Sequence, residues 1–180
     1  MKKIILRYGS YAAIFEFLFF VLAWLILDLV RVSHQLQGFI GLIVITCPLI
    51  FVYFGIRYYR DKLNNETITF LQALKIGLLI VIIPAVSYAL IETIYVLIID
   101  PKFYENVAAY DIEQYRKSLS SAQFAIKLKE IKQQVVLDNN PFYNFSVLVL
   151  MIGALGTIIT IISALLLKRK LNYKPLTQNV

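Results

Sequence analysis

The chain is poor in the residues that most chemistry requires. It has one cysteine, Cys47, and one histidine, His34. An intrachain disulfide is therefore excluded, and a histidine-based metal site or catalytic dyad has no material. Cys47 falls inside an apolar run and is expected to fill a small buried position, while His34 is expected at an interface with polar surroundings. Charge is scarce too, at 16% of 180 residues against 59% hydrophobic ones, with a mean hydropathy of +0.72. No soluble domain of this size hides so much apolar surface in one core. Glycine-rich phosphate loops, paired acids and a nucleophile with its base are all missing at usable spacings, so no catalytic residue, cofactor or metal is expected.

What the chain does have is four apolar runs. A helix needs roughly 20 apolar residues to cross about 30 Å of hydrocarbon, and residues 9–30, 36–58, 73–99 and 142–167 provide them. The expected fold is all-α: a four-helix transmembrane bundle forming a single membrane domain over 1–180. Residues 101–138, between helices three and four, are expected as an extracytoplasmic amphipathic helical segment. The opening MKKIILRYGS looks like the charged part of a secretory signal. The apolar run after it is too long for one, carries Glu16, and lacks a small-x-small cleavage pattern near residues 27–33, so it reads as retained.

The net charge of +7 is unevenly spread. Lys2, Lys3, Arg7, Arg57, Arg60, Lys62, Lys75, Lys168, Arg169, Lys170 and Lys174 share one side with only Asp61 and Glu66. The other side holds seven basic and seven acidic residues. The positive-inside rule then places both termini in the cytoplasm, with the protein in the cell inner membrane. Anionic lipid headgroups are the natural partner of the basic rim, and its dispersal over three short pieces argues against nucleic acid.

The segment that organises the rest is LQALKIGLLIVIIPAVSYALIETIYVLIID, residues 71–100, which crosses a bilayer with a carboxylate inside it. Acids within a membrane span are expensive and mark candidate functional sites. Glu92 has Tyr88 and Tyr95 three or four residues away, placed to donate to it. Glu16 shares a helical face with Gly9, Ala13, Phe20 and Ala23. Alternatively both acids are packing residues, with Arg57 or Lys75 as mates for Glu16, and Arg31, Lys102 or a tyrosine for Glu92. In the fourth run Gly153, Gly156, Thr157, Thr160, Ser163 and Ala164 make a small-residue face suited to helix packing. Gly38 and Gly41 permit close approach in the second run. Pro48 and Pro84 each remove a helix hydrogen bond.

Local signals set the boundaries. Asp28 and Arg31 mark the outer edge of run one, and Asn64 and Asn65 favour a turn. Thr69 with Gln72, and Ser120 with Gln123, have capping-box spacing. Asp100–Pro101 and Asn140–Pro141 read as an N-cap followed by proline at the first helical position. Two amphipathic stripes fill the polar connection: Tyr104, Ala108, Ile112, Tyr115 and Leu119, then Phe124, Leu128, Ile131 and Val135. They are expected to pair with each other or to lie on the outer leaflet.

Four phrases, FGIRYYRDKLNNETITF, LQALKIGLLI, IETIYVLIID and TIISALLLKRK, together with the amphipathic outer segment, resemble the bacterial membrane proteins of domain-of-unknown-function family 4199. The resemblance covers nearly the whole chain, and the YRDK turn with its following ITF is its most specific part. One departure is Glu66, where a glycine is expected in the turn. The resemblance implies a four-helix integral membrane fold and brings no activity, substrate or catalytic residue.

Two classes of function follow as expectations. The first is a non-enzymatic accessory or interaction protein of the cell envelope, acting on a second copy or on another membrane or extracytoplasmic protein. The second is a small oligomeric transporter, or a proton or cation pathway, using Glu92 and Glu16.

Overall fold

The computed structural model describes residues 1–29 and 34–169, without the side chains of residues 28, 29, 34 and 35. Readings placed on Asp28, Arg31, His34 and the last basic residues lie outside that set. Seven α-helices are described: α1 (Lys2–Leu29), α2 (His34–Thr46), α3 (Ile50–Tyr58), α4 (Phe70–Ile94), α5 (Phe103–Ser118), α6 (Ser121–Asp138) and α7 (Pro141–Leu167). A 3-10 turn, Cys47–Leu49, joins α2 to α3, and single π-helical turns, Tyr59–Leu63 and Tyr95–Ile99, close α3 and α4. Apart from one isolated two-residue bridge, the described backbone is helix and turn.

Four stretches are long and apolar enough to cross a membrane: Lys2–Leu27, Leu36–Leu63, Phe70–Ile99 and Pro141–Leu167. The first helix starts at Lys2, seven residues ahead of the apolar run, because Ile4 is already buried and the lysines and Arg7 tolerate a helix. Apolar side chains such as Phe17, Leu18, Leu25, Leu150 and Leu166 stay exposed to the surroundings. That is the surface expected of a chain solvated by hydrocarbon.

The chain forms two compact units, one made of Met1–Pro84 together with the chain from Ile152, the other of Ala85–Met151. In the first, α4 is the hub. Its buried residues Ala73, Ile76, Gly77, Ile80, Val81 and Pro84 recur at three- and four-residue spacing, one helix face. A Cβ on Gly9 of α1 would strike Ile83, one on Gly55 of α3 would strike Ile80, and one on Gly156 of α7 would strike Val81. Gly77 of α4 lies against Thr160 of α7. Small residues on α1, α3 and α7 make room for the α4 side chains that pack against them, a basis of helix packing where lipid removes the hydrophobic drive. Rings add a second seam, Tyr8 on Tyr58 at 5.9 Å and Phe15 on Phe51 at 5.4 Å between α1 and α3.

The glycines of α2 behave differently. Gly38 and Gly41 meet no neighbour among the described residues, nor does Gly153 of α7. Cys47, expected inside, is exposed: the tight turn imposed by Pro48 buries Pro48 and Leu49 and leaves Cys47 facing out.

The YRDK segment is clamped to the end of α7. Ile68 and Arg169 exchange backbone hydrogen bonds of 3.0 Å in both directions, and Arg60 Nη1 donates to the carbonyl of Leu167 at 3.4 Å. Thr69 and Gln72 cap α4 reciprocally, so the helix starts at Phe70. Asn65 and Glu66 both adopt left-handed φ, 49° and 58°. The expected tight turn is therefore present with Glu66 in a conformation that favours glycine.

In the second unit α5 and α6 pair as an antiparallel-type hairpin, joined at Leu119–Ser120. The stripe residues expected from the sequence are the ones turned inward: Ala108 is buried, and Ile112, Tyr115, Phe124, Leu128, Ile131 and Val135 are half-buried. Arg116 lies 5.6 Å from the Phe124 ring and Lys127 5.5 Å from the Tyr115 ring, which adds cation–π contact across the pair. Ser120 caps α6 with Gln123, whose Oε1 accepts from the Ser120 hydroxyl at 2.9 Å. Asn140 Oδ1 accepts from the backbone N–H of Phe142 and of Tyr143 at 3.0 and 3.2 Å, with Pro141 in the first helical position. The matching signal at Asp100–Pro101 fails. Residues 101–102 form a turn instead, α5 starts at Phe103, and Asp100 contributes its backbone carbonyl rather than its side chain. Asp100 instead closes the preceding π turn, its N–H donated to Tyr95, and Lys102 takes the N-cap position of α5 without a side-chain cap bond.

Candidate functional site

The two intramembrane acids receive opposite environments. Glu92 sits in the last turns of α4, in the second unit, where the buried residues Ala85, Tyr88 and Ala89 make the same helix face. Its Oε1 lies 3.1 Å from the hydroxyl of Tyr104, in the first turn of α5. The same hydroxyl lies 2.9 Å from Oδ1 of Asn144, one turn into α7 and buried. Tyr88 hydrogen-bonds to the carboxyl as well. Tyr95, the other tyrosine expected here, packs edge-on against Phe103 at 6.1 Å. Lys102 is exposed and does not pair with Glu92.

Tyr104 and Asn144 are the site residues that sequence reasoning misses. Tyr104 reads as a packing residue on the amphipathic stripe, and Asn144 is inconspicuous between aromatic anchors. An asparagine in the first turn of a membrane helix is itself a signal, because its amide must find partners there. Together Tyr104, Glu92 and Asn144 tie the starts of α5 and α7 to the end of α4.

The proton count of this cluster is informative. A phenol has one proton and here faces two acceptors. With Asn144 Oδ1 accepting from Tyr104, the proton between Tyr104 and Glu92 has to come from a neutral Glu92 carboxyl. With the amide turned, Nδ2 donates to the Tyr104 oxygen and Tyr104 donates to an ionised carboxylate. The two arrangements differ by one proton and half a turn of an amide. Burial, reinforced by the neighbouring Glu92 charge, pushes the Tyr104 hydroxyl above the ordinary phenol range, so it stays protonated in both.

Glu16 is in the first unit, midway along α1. It is fully buried, and neither carboxyl oxygen has a hydrogen-bond partner among the described residues. The expected mates lie elsewhere: Arg57 is 3.5 Å from Asp61, and Lys75 is exposed. The face that carries Glu16 runs through Ile4, Gly9 and Ala12, all buried, with Gly9 against Ile83 of α4, and α1 as a whole packs on α2, the 3-10 turn and α3.

The small-residue face of α7 divides. Gly156, Thr160, Ser163 and Ala164 are buried, with Gly156 against Val81 and Thr160 against Gly77, whereas Gly153 faces open space. The Thr160 hydroxyl is buried without a partner. Thr157, by contrast, donates to the Gly153 carbonyl at 2.7 Å. Among the described residues no three His, Cys, Asp or Glu side chains gather in a metal-holding group.

No curated protein and no solved structure matches the chain. A family model does, over residues 7–169, a stretch that includes both acids, the clamped YRDK turn and the α5–α6 hairpin. Its description is "Protein of unknown function (DUF4199)", and the chain belongs to that family.

Proposed function

We propose that the protein is a non-enzymatic accessory or interaction component of the cell envelope, held in the inner membrane with both termini cytoplasmic and the α5–α6 hairpin on the opposite side. The hairpin carries this reading. Its inward stripes are spent on each other, and its first turn is fastened by Tyr104 to Glu92 and Asn144. The outward face of α6 keeps Ile126 and Val136 exposed, at 65% and 72%, beside Lys129 and Lys132. A fixed, partly apolar helix face beyond a membrane span is suited to contact rather than to turnover. The excess of basic residues on the side of the YRDK turn supports the orientation.

Photo-crosslinkers at Ile126 and Val136 in native membranes test it. A discrete adduct that Val136→Asp abolishes is the expected result, and monomer alone under every growth condition overturns the reading. Glu92 supports contact over transport, because its hydrogen bonds go to its own chain. Glu92→Gln is therefore expected to leave ion and proton flux in reconstituted vesicles unchanged, and a lost flux would favour a transporter.

A further inference from the structure

The other acid has a different surrounding. Glu16 is 0% exposed, with both oxygens unpartnered among the described residues, on a helix that packs against α2, the 3-10 turn and α3. Glu16 is about thirteen residues from the end of α1, and Pro48 about fourteen from the start of α2. Counted from the connection that joins the two helices, the acid and the proline turn are therefore level. Pro48 has no N–H, so the carbonyl of Val44, itself a buried residue, lacks its α-helical donor. One helix thus brings a buried carboxyl without a partner to the depth where its neighbour has a broken backbone ladder.

We propose that Glu16 and the backbone break at residues 44–48 form a proton-binding site, in which the carboxyl holds a proton and donates it to a freed backbone carbonyl. A carboxylate buried without a counter-charge is strongly disfavoured, whereas a neutral acid needs only one acceptor. Broken helices with an acid beside them are a recurrent way to hold a proton or small cation in membranes. Here the proton is favoured over a metal ion, which needs a shell of several oxygens. Among the described residues no group of three His, Cys, Asp or Glu side chains forms there or elsewhere.

The titratable side chains on the surrounding elements are Cys47 on the turn, Tyr53, Arg57 and Tyr58 on α3, and Lys75, Tyr88 and Glu92 on α4, the last two hydrogen-bonded to each other in the second unit, while His34 opens α2. Cys47, Arg57 and Lys75 are exposed, and none of those described hydrogen-bonds to Glu16. Removing the proton therefore leaves a charge that only water can stabilise. Water reaches it when α1 parts from the turn, so the loaded site holds α1 closed against α2 and α3. The inference is independent of what the hairpin touches.

The test is infrared spectroscopy of the full chain in lipid vesicles. At neutral pH a protonated-carboxyl stretch is expected that survives Glu92→Gln, disappears in Glu16→Gln, and is unchanged when sodium is replaced by choline. Raising the pH should remove that band and speed amide exchange over residues 44–50 in the wild type, but not in Glu16→Gln. Absence of the band, its persistence in Glu16→Gln, or its loss on adding sodium at fixed pH would overturn the proposal. Should Glu16→Gln fail to fold, dicyclohexylcarbodiimide labelling of the wild type gives the same answer by mass spectrometry. An adduct at Glu16 that declines as pH rises supports the site, and none at any pH refutes it.

Discussion

A single hydroxyl does most to hold the second unit's polar cluster together. Tyr104 serves Glu92 at 3.1 Å and Asn144 at 2.9 Å, and Asn144 is buried. Removing one partner of a buried hydrogen-bonded group costs about 1–3 kcal/mol, so Tyr104→Phe should lower stability by that amount, read as a lower unfolding temperature in detergent. The effect depends on pH with a definite sign. Burial raises the Tyr104 hydroxyl above its ordinary value in the fold, while the unfolded chain ionises near pH 10, as a free phenol does at about that pH. Its contribution is therefore complete below about pH 10 and is lost as pH rises further. The gap between wild type and Tyr104→Phe should narrow on the alkaline side and stay constant between pH 6 and 9. A gap that widens with alkali would show that the hydroxyl is not held neutral.

At the scale of helices, the seam between α4 and α7 depends on where each glycine faces. Gly156→Ala drives a methyl into Val81, and overpacking of this kind costs about 1–3 kcal/mol. Gly153→Ala adds the same methyl to open space and gains helix propensity, about 0.5–1 kcal/mol. The two substitutions, three residues apart on one helix, should shift the unfolding temperature in opposite directions. Equal effects would mean that the seam is not where the structure puts it. The turn before α4 offers a third case. Glu66 holds a left-handed φ of 58°, a conformation that costs a non-glycine residue about 1–2 kcal/mol. Its compensation is an ion pair with Arg169 at 3.5 Å, with both side chains largely exposed, worth about 0–1 kcal/mol. Glu66→Gly should therefore raise stability by up to about 1 kcal/mol, measured by the same thermal shift.

These elements also show which parts of the fold the sequence reveals. Apolar length announces all four spans, and the caps at Thr69, Ser120 and Asn140 are visible because each depends on residues two or three apart. Both hairpin stripes are legible for the same reason: a helix repeats its face locally. Asp100 misleads because a turn at residues 101–102 intervenes and Lys102 takes the N-cap of α5, a shift with no side-chain signature. Gly38, Gly41 and Gly153 look like packing residues until a neighbour is known, and adjacency is not a local property. Tyr104 and Asn144 are missed for that reason too, since Tyr104 lies 12 positions from Glu92 and Asn144 lies 40 from Tyr104, and only the folded chain brings them together.

Across the whole molecule, charge and backbone agree on one end. The Ile68–Arg169 bridge fixes the connection before α4 to the end of α7, and Arg60 reaches the last carbonyl there. Whatever compartment receives one of these segments receives the other. Between them they hold most of the basic residues expected on one side with only Asp61 and Glu66, so the positive-inside rule would act on them as one block. Reporter fusions at Asn65 and at Lys170 should both read as cytoplasmic, and a fusion at Tyr110 as the opposite compartment. The prediction is stricter than a count of spans. With α4 and α7 each crossing once, Tyr110 must differ from both ends. A chain truncated after Asn140 should keep Asn65 inside, because Arg57, Arg60 and Lys62 precede it, whereas reversing those three to glutamate should loosen the orientation. If Lys170 and Tyr110 report the same side in the full chain, one of the two long helices does not cross, and the clamp at Ile68 and Arg169 has to be explained without a membrane.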